Sequence, residues 1–214
     1  MDITYLGHSS FKIKTKKGVV VTDPYDKSIG IKFPSTDADI VTVSHAHTDH
    51  DRVNQVKNVK KVISGPGEYE IMGISIIGIP TFHDNEKGAK RGKNTIYVYE
   101  VEDIRLLHLG DLGHILKDKV IEDIGDINVL MIPVGGTYTI GSKDAVNIVK
   151  NFEPQFVLPM HYYDSSLDKK TFGKLEKVDT FLKEVGLNTE RTNKLTVHAS
   201  DLGEDQKVVV FESE

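Results

Sequence analysis

With 214 residues, 38% hydrophobic and 28% charged, the chain is long enough to bury a core of its own without disulfides or a structural metal. A net charge of −5 argues against a nucleic-acid partner, and the absence of cysteine excludes disulfides, thiolate metal sites and a cysteine nucleophile. No run reaches the roughly 18 apolar residues of a membrane span, and Met1 to Leu6 lacks the basic-then-apolar pattern of an export signal, so a cytoplasmic protein without a membrane span is expected.

In chain order, Ile3 to Leu6, Ser10 to Lys14 and Val19 to Thr22 read as short strands, the last two joined by a hairpin at Lys16-Lys17-Gly18. Asp39 to Ser44 is short and β-branched, the pattern of a buried strand. Asp51 to Lys57 reads as a short helix, with Thr48 or Asp49 placed to cap it. Val59 to Ile63, Ile71 to Pro80, Thr95 to Val101, Ile104 to Leu109 and Val129 to Pro133 are further strands. Ile115 to Ile124 reads as a helix, as does Ser142 to Lys150, with Ser142 as its N-cap and apolar residues at Ala145, Val146, Ile148 and Val149. Val157 to Pro159 is a strand, Leu175 to Val185 an amphipathic helix, and Lys194 to His198 and Lys207 to Phe211 close the chain as strands. No linker, repeat or low-complexity segment interrupts this order, so residues 1–214 read as one domain of two sheets covered by helices.

Directly after the strand ending at Ser44 stand His45-Ala46-His47-Thr48-Asp49-His50, three imidazoles and a carboxylate that no ordinary packing need explains. Imidazole with carboxylate suits zinc, iron or manganese better than calcium or magnesium, which prefer oxygen shells. Further donors follow other strands: His83 in Thr81-Phe82-His83-Asp84, Asp111 in Leu109-Gly110-Asp111, and His161 after Phe156 to Met160. Sheet-based folds collect functional groups at such strand ends. His108 competes with His83 as a third histidine, but strand alternation turns it away from Leu107, Leu109 and Asp111, which makes it a packed residue or a supporting one.

The H-x-H-x-D-H run, with the later His, Gly-Asp and His in the same order, resembles the metallo-β-lactamase superfamily over almost the whole chain. Leu6-Gly7-His8-Ser9-Ser10 resembles its compact branch, which includes ascorbate-6-phosphate lactonase and N-acyl-phosphatidylethanolamine phospholipase D. Gly65 to Glu70 and Ile132 to Thr137 resemble bacterial and archaeal proteins usually labelled Zn-dependent hydrolases. The resemblance implies an α/β fold, a four-layer αββα sandwich with the metals at one edge between the sheets. It also implies that His45, His47 and His83 hold a first divalent ion, that Asp49, His50 and His161 hold a second, and that Asp111 bridges them. Zinc is the first expectation for the pair, with manganese or iron as alternatives.

Paired metals about 3.5–4 Å apart can acidify a shared water and polarise a carbonyl or phosphoryl oxygen, so no serine or cysteine nucleophile is required. Asp49 is then expected to orient the attacking oxygen, and His114, three positions after Asp111, to protonate the leaving group. Asp23 and His8 are read as partners that steady the ligand loop. The cationic run Lys87 to Lys93 reads either as a solvated loop or as a receptor for an anionic substrate group, with Arg91 best suited to a bidentate contact. Gly135 to Tyr138 offers backbone N–H groups and a phenol, or merely a tight turn, while Glu68 and Glu70 are taken as structural. The reading is thus a hydrolase of a small-molecule ester, lactone or phosphoester. The alternatives are a nuclease acting on RNA, or a non-catalytic metal sensor or oxygen-binding protein. A homo-oligomer stays open.

Overall fold

β-Branched and aromatic residues dominate the short apolar runs of the chain, and their alternation decides which faces of the resulting strands are buried. The computed structural model describes residues 1–203 and 205–212. Its first half runs β1 (Asp2–Gly7), β2 (Ser10–Lys14), β3 (Val19–Thr22), β4 (Thr36–Asp37), β5 (Ile40–Thr42), β6 (Val56–Lys57), β7 (Lys61–Ile63), β8 (Gly67–Ile71), β9 (Ile74–Phe82), β10 (Lys93–Val101) and β11 (Ile104–His108). Its second half runs α1 (Asp118–Ile124), β12 (Val129–Pro133), α2 (Ser142–Phe152), β13 (Phe156–Met160), α3 (Lys169–Phe172), α4 (Val178–Val185), β14 (Asn188–Thr192), β15 (Leu195–Thr196) and β16 (Lys207–Phe211).

Two sheets result, ordered β15-β1-β2-β3-β5-β7 and β14-β16-β13-β12-β11-β10-β9-β8, with β4 and β6 as a separate short pair. Between them lies the main core, where Ile3, Phe11, Ile13, Val20 and Ile40 of the smaller sheet meet Ile76, Tyr97, Tyr99, Leu106, Met131 and Leu158 of the larger. The other face of the larger sheet, with Ile96, Val98, Leu107 and Leu130, is covered by Ala145, Ile148 and Val149 of α2 and by Phe181 of α4. Because it is covered on both faces, β10 is buried at every residue from Asn94 to Tyr99 rather than alternating. The outer face of the smaller sheet carries Val21, Val41 and Val43, and Ile29, Phe33, Leu167, Phe172 and Leu175 close over it. The αββα layering is therefore present, but this fourth layer is thin: among the described residues it consists of 3₁₀ turns, loops and the four-residue α3.

Several local expectations need correction. Asp51 to Lys57 is not a helix: Val53–Gln55 is a 3₁₀ turn and β6 follows, in parallel pairing with β4. A tertiary hydrogen bond from Arg52 N to Pro24 O, at 2.8 Å, pulls the backbone out of a helical path, and neither Thr48 nor Asp49 caps anything there. The run from Ile71 to Pro80 is broken by a two-residue hairpin turn in which Met72 (φ 57°) and Gly73 (φ 78°) are both left-handed, so that Ile71 pairs with Ile74. Ser142 is the first residue of α2 rather than its cap; Gly141 takes that place, and Ser142 Oγ donates to Glu176 instead. The helices predicted from Ile115 and Leu175 begin later, at Asp118 and Val178, and the strand predicted over Lys194 to His198 shrinks to Leu195–Thr196. β14 is an addition to the expected strands: its polar sequence, Asn-Thr-Glu-Arg-Thr, belongs to an exposed edge strand, where alternation carries no signal.

Strand direction decides where the connecting loops gather. β1 and β3 both run antiparallel to β2, and β5 runs parallel to β3. In the other sheet β9 and β11 both run antiparallel to β10, and β12 and β13 continue parallel to β11. Within each sheet these strands therefore share a direction, and their carboxyl ends collect at one edge.

Candidate metal centre

Each predicted ligand leaves such a strand end. His45 to His50 follow β5, His83 follows β9, Asp111 follows β11 and His161 follows β13. The structure gathers them into two groups whose ligand atoms lie within 4.8 Å of one another: His45, His47 and His83 in one, and His8, Asp49, His50 and His161 in the other. Asp111 sits between the groups. Its Oδ2 is 3.2 Å from Nε2 of His83, 3.2 Å from Nε2 of His161 and 3.9 Å from Nε2 of His45, while Oδ1 is 3.3 Å from Nε2 of His50. All these side chains are buried except His47, which is exposed, and Asp49, which is half-buried.

The backbone at this edge is held tightly. His8 (φ 56°), Asp23 (φ 39°) and His161 (φ 51°) are all left-handed, a conformation costing on the order of 1 kcal/mol per residue and seen where surrounding structure fixes a functional group. His161 N donates to His8 O at 2.8 Å, which ties the two strand ends together. Gly110 has to be glycine: a Cβ there would lie 2.5 Å from both Asn94 Oδ1 and Ser44 Cβ. Gly135 is equally constrained, since its Cβ would stand 2.2 Å from His161 O.

Asp23 organises the first histidine cluster, as the sequence suggested. Its Oδ1 accepts from Ser44 N at 2.7 Å, and its Oδ2 accepts from Ser44 Oγ at 2.6 Å and His50 Nδ1 at 2.9 Å. Ser44 Oγ, having given its proton to Asp23, accepts in turn from His45 Nδ1 at 2.9 Å. Both Nδ1 atoms are thereby protonated, and Nε2 of His45 and Nε2 of His50 face inward. Asp23 also lies within ligand distance of His45 and His50, but its oxygens already serve three donors, so it supports rather than ligates. Asn94 Oδ1 accepts from Asp111 N at 3.0 Å and so positions the turn that carries that carboxylate. Neither Ser44 nor Asn94 stands out in the sequence; only the adjacency of Ser44 to His45 hints at a role.

His8 Nε2 donates to Asp49 Oδ2 at 3.1 Å, and its ring packs against those of His161 and Phe172. His108 lies in the core, with Nε2 on Ser9 O at 2.9 Å and Nδ1 accepting from Gly110 N, and makes no contact with the ligand atoms. His114 is half-buried and engaged at both nitrogens: Nδ1 donates to Ile115 O at 2.9 Å and Nε2 accepts from Phe82 N at 3.2 Å. It would have to give up one of these bonds to deliver a proton.

The electrostatics suit a cation. Burial opposes a charged His50, yet the Asp111 and Asp49 carboxylates hold its imidazole well above its ordinary range. Burial also opposes charge on Asp111, but His161 and His50 hold its carboxyl well below the usual carboxylate range. His45 is pushed down to about 3 by burial and by His50, and His8 to about 4 by burial and by His161, so both remain neutral donors at physiological pH. Nε2 of His45, Nε2 of His50 and Asp111 Oδ1 are buried without any hydrogen-bond partner among the described residues. Convergent, unpartnered buried nitrogens and oxygens are costly unless something binds them. A nitrogen-and-oxygen donor set without sulfur fits divalent transition ions such as zinc.

The profile of the β-lactamase superfamily domain matches residues 2–161. A solved structure from Thermotoga maritima, described as a Zn-dependent hydrolase of the metallo-β-lactamase superfamily, superimposes with a TM-score of 0.79 at 38% identity, covering 98% of this chain and 97% of that one. A UPF0173 metal-dependent hydrolase of Methanopyrus kandleri is 28% identical over 245 aligned positions, covering 99% of this chain and 97% of its own. Its counterpart from Pyrococcus horikoshii is 28% identical over 192 residues, covering 76% and 84%. Among the described residues no helix is long and apolar enough to cross a membrane.

Proposed function

The chain belongs to the metallo-β-lactamase superfamily, and from that premise we propose that it is a metal-dependent hydrolase working through two divalent ions, zinc first among them, on a small ester, lactone or phosphoester. One observation carries the reading: two histidine-rich groups, mostly buried and incompletely hydrogen-bonded, meet at the single carboxylate of Asp111. In this reading His45, His47 and His83 hold one ion, Asp49, His50 and His161 the other, and Asp111 contacts both. Ions bound there supply Lewis acidity toward a carbonyl or phosphoryl oxygen and acidify water.

The protein's own residues do the rest. Asp23 and Ser44 hold the Nδ1–H groups of His45 and His50, so that both rings present Nε2 to the centre without reorienting, and at His50 an ion would take the place of the Nε2 proton. His8 orients the Asp49 carboxylate through the bond from Nε2, leaving Asp49 Oδ1 to accept a proton from the attacking water. The exposed rim of Ala46, His47 and Thr48 provides the side from which a substrate enters. His114 serves as proton donor to the leaving group only if its bond to Phe82 N or Ile115 O opens.

The test is a panel of 4-nitrophenyl esters, lactones and bis-4-nitrophenyl phosphate with native protein, chelated protein and protein reconstituted with zinc, manganese or iron. Chelator-sensitive turnover restored by metal is expected, and Asp49→Ala should lower kcat by about 100-fold or more while the ion held by His45, His47 and His83 is retained. Activity that survives complete chelation would refute the proposal.

A further inference from the structure

The loop between His83 and Lys93 spends its charges unevenly. Asp84 uses both carboxylate oxygens on the loop's own backbone, accepting from Glu86 N, Gly88 N, Lys90 N and Arg91 N at 2.7–2.9 Å. Lys90 pairs with Glu86. Lys87 and Lys93 are exposed, as a solvated charge run should be. Arg91 behaves differently. It is half-buried, its Nη2 donates to Thr137 O at 3.3 Å, and its guanidinium lies 5.4 Å above the centre of the Tyr138 ring. Among the described residues no carboxylate pairs with it.

Both sides of this contact are fixed, and both lead to ligands. Gly92, next to Arg91, accepts from His83 N at 3.1 Å. Thr137 is left-handed (φ 58°), a strained state for a β-branched residue, and follows Gly135, which abuts His161 O. Thr137 Oγ1 donates to Lys174 O at 2.9 Å, and Tyr138 Oη donates to Thr171 O at 2.7 Å. The guanidinium therefore spans the rim from the loop bearing His83 to the loop packed against His161. A stacked arginine with one N–H committed and the rest of its fork unclaimed is prepared for an oxyanion, because little side-chain freedom remains to be lost on binding.

We propose that Arg91, braced by Tyr138 and Thr137, is the anion subsite of this centre, receiving a phosphate or carboxylate group remote from the bond that is cleaved. The assignment rests on the hydrolase reading above and narrows it to small esters or lactones that carry a separate anionic group.

Two measurements test it. In the first, zinc-loaded protein is assayed with neutral 4-nitrophenyl butyrate and with mono-4-nitrophenyl glutarate, which differs by a terminal carboxylate. Arg91→Gln should lower the anionic-to-neutral ratio of kcat/KM by about tenfold or more, chiefly through KM, and Arg91→Lys should restore part of it. In the second, phenyl phosphate and benzoate are titrated by NMR into the chelated full-length protein, where no ion competes for them, and a thermal melt confirms that each variant is folded. The wild type should bind at least one anion, Arg91→Gln should bind it at least fivefold more weakly, and the preferred anion tells phosphate from carboxylate. A ratio within threefold of wild type, or anion binding unaffected by Arg91→Gln, overturns the subsite. If neither ester is hydrolysed, these esters fall outside the substrate class, and the titration alone decides the role of Arg91.

Discussion

Asp23 shows how one buried carboxylate can set the chemistry of several ligands at once. It accepts from Ser44 twice and from His50, and through Ser44 Oγ it reaches His45. Burial raises its pKa, but the hydrogen bond and charge of His50 bring it below the ordinary carboxylate value. Asp23→Asn replaces one oxygen with an NH2 that can only donate: at Oδ2 it takes the acceptor from both His50 Nδ1–H and Ser44 Oγ–H, and at Oδ1 from Ser44 N–H. The rings can then flip or change tautomer, and affinity for zinc should fall by about 10–100-fold. Titration against a chromophoric chelator measures this directly, and an unchanged affinity would reduce Asp23 to a packing residue. Asp23 is legible in the sequence because it directly follows the strand Val19 to Thr22 and matches an amino-terminal aspartate of the family it resembles. Ser44 and Asn94 are not, because a hydroxyl or amide that relays one hydrogen bond leaves no periodicity and no motif behind.

At the scale of elements, strands are legible and coverings are not. β1, β2, β3, β10, β12 and β16 announce themselves by apolar alternation or by continuous apolar runs, and their ends fall within a residue or two of the expected places. The turn at Met72-Gly73 escapes notice because methionine rarely marks a left-handed position, and β6 because a tertiary bond to Pro24 overrides local preference. Asp39 is a junction of the same long-range kind. It sits between β4 and β5, accepts from Val19 N of β3 at 2.9 Å, and pairs with Lys60, just before β7, at 2.7 Å. The hydrogen bond from Lys60, then that from Val19, hold its carboxyl below the ordinary aspartate value despite some burial. Because the folded pKa is depressed, the stabilisation is fully present above the unfolded value near 4 and is lost as pH falls through the lower, folded one. Asp39→Asn should therefore cost about 1 kcal/mol at pH 7, a difference that shrinks as the pH drops below about 4. Urea unfolding of both proteins between pH 3 and pH 7, as an approximate range spanning the carboxylate pKa, checks the sign; a gap that widens toward acid would contradict it.

For the whole molecule, dependence runs both ways: the centre relies on the two sheets, and ions at the centre would bind the sheets to each other. Donors come from both sheets, with His45 to His50 on the smaller and His83, Asp111 and His161 on the larger. The ligand set is readable in sequence because each donor follows an apolar strand, whereas the loops from Asp26 to Pro34 and from Tyr162 to Leu175, which close the thin fourth layer, show no pattern of their own. The three apolar cores include none of the proposed ligands, so removal of metal should leave a folded protein rather than an unfolded one. It should nonetheless be less stable, since each ion that binds only the folded state at about a thousandfold above its Kd adds roughly 4 kcal/mol. For a chain of this length that corresponds to a loss of about 8–16 °C in Tm for each ion removed on chelation. Calorimetry before and after chelation tests this, with zinc added back as the control. A single cooperative transition that moves down and returns with zinc is the expected result. A Tm indifferent to chelation would mean that the converging nitrogens and oxygens of His45, His50 and Asp111 do not hold a metal, and some other partner would then have to account for their burial.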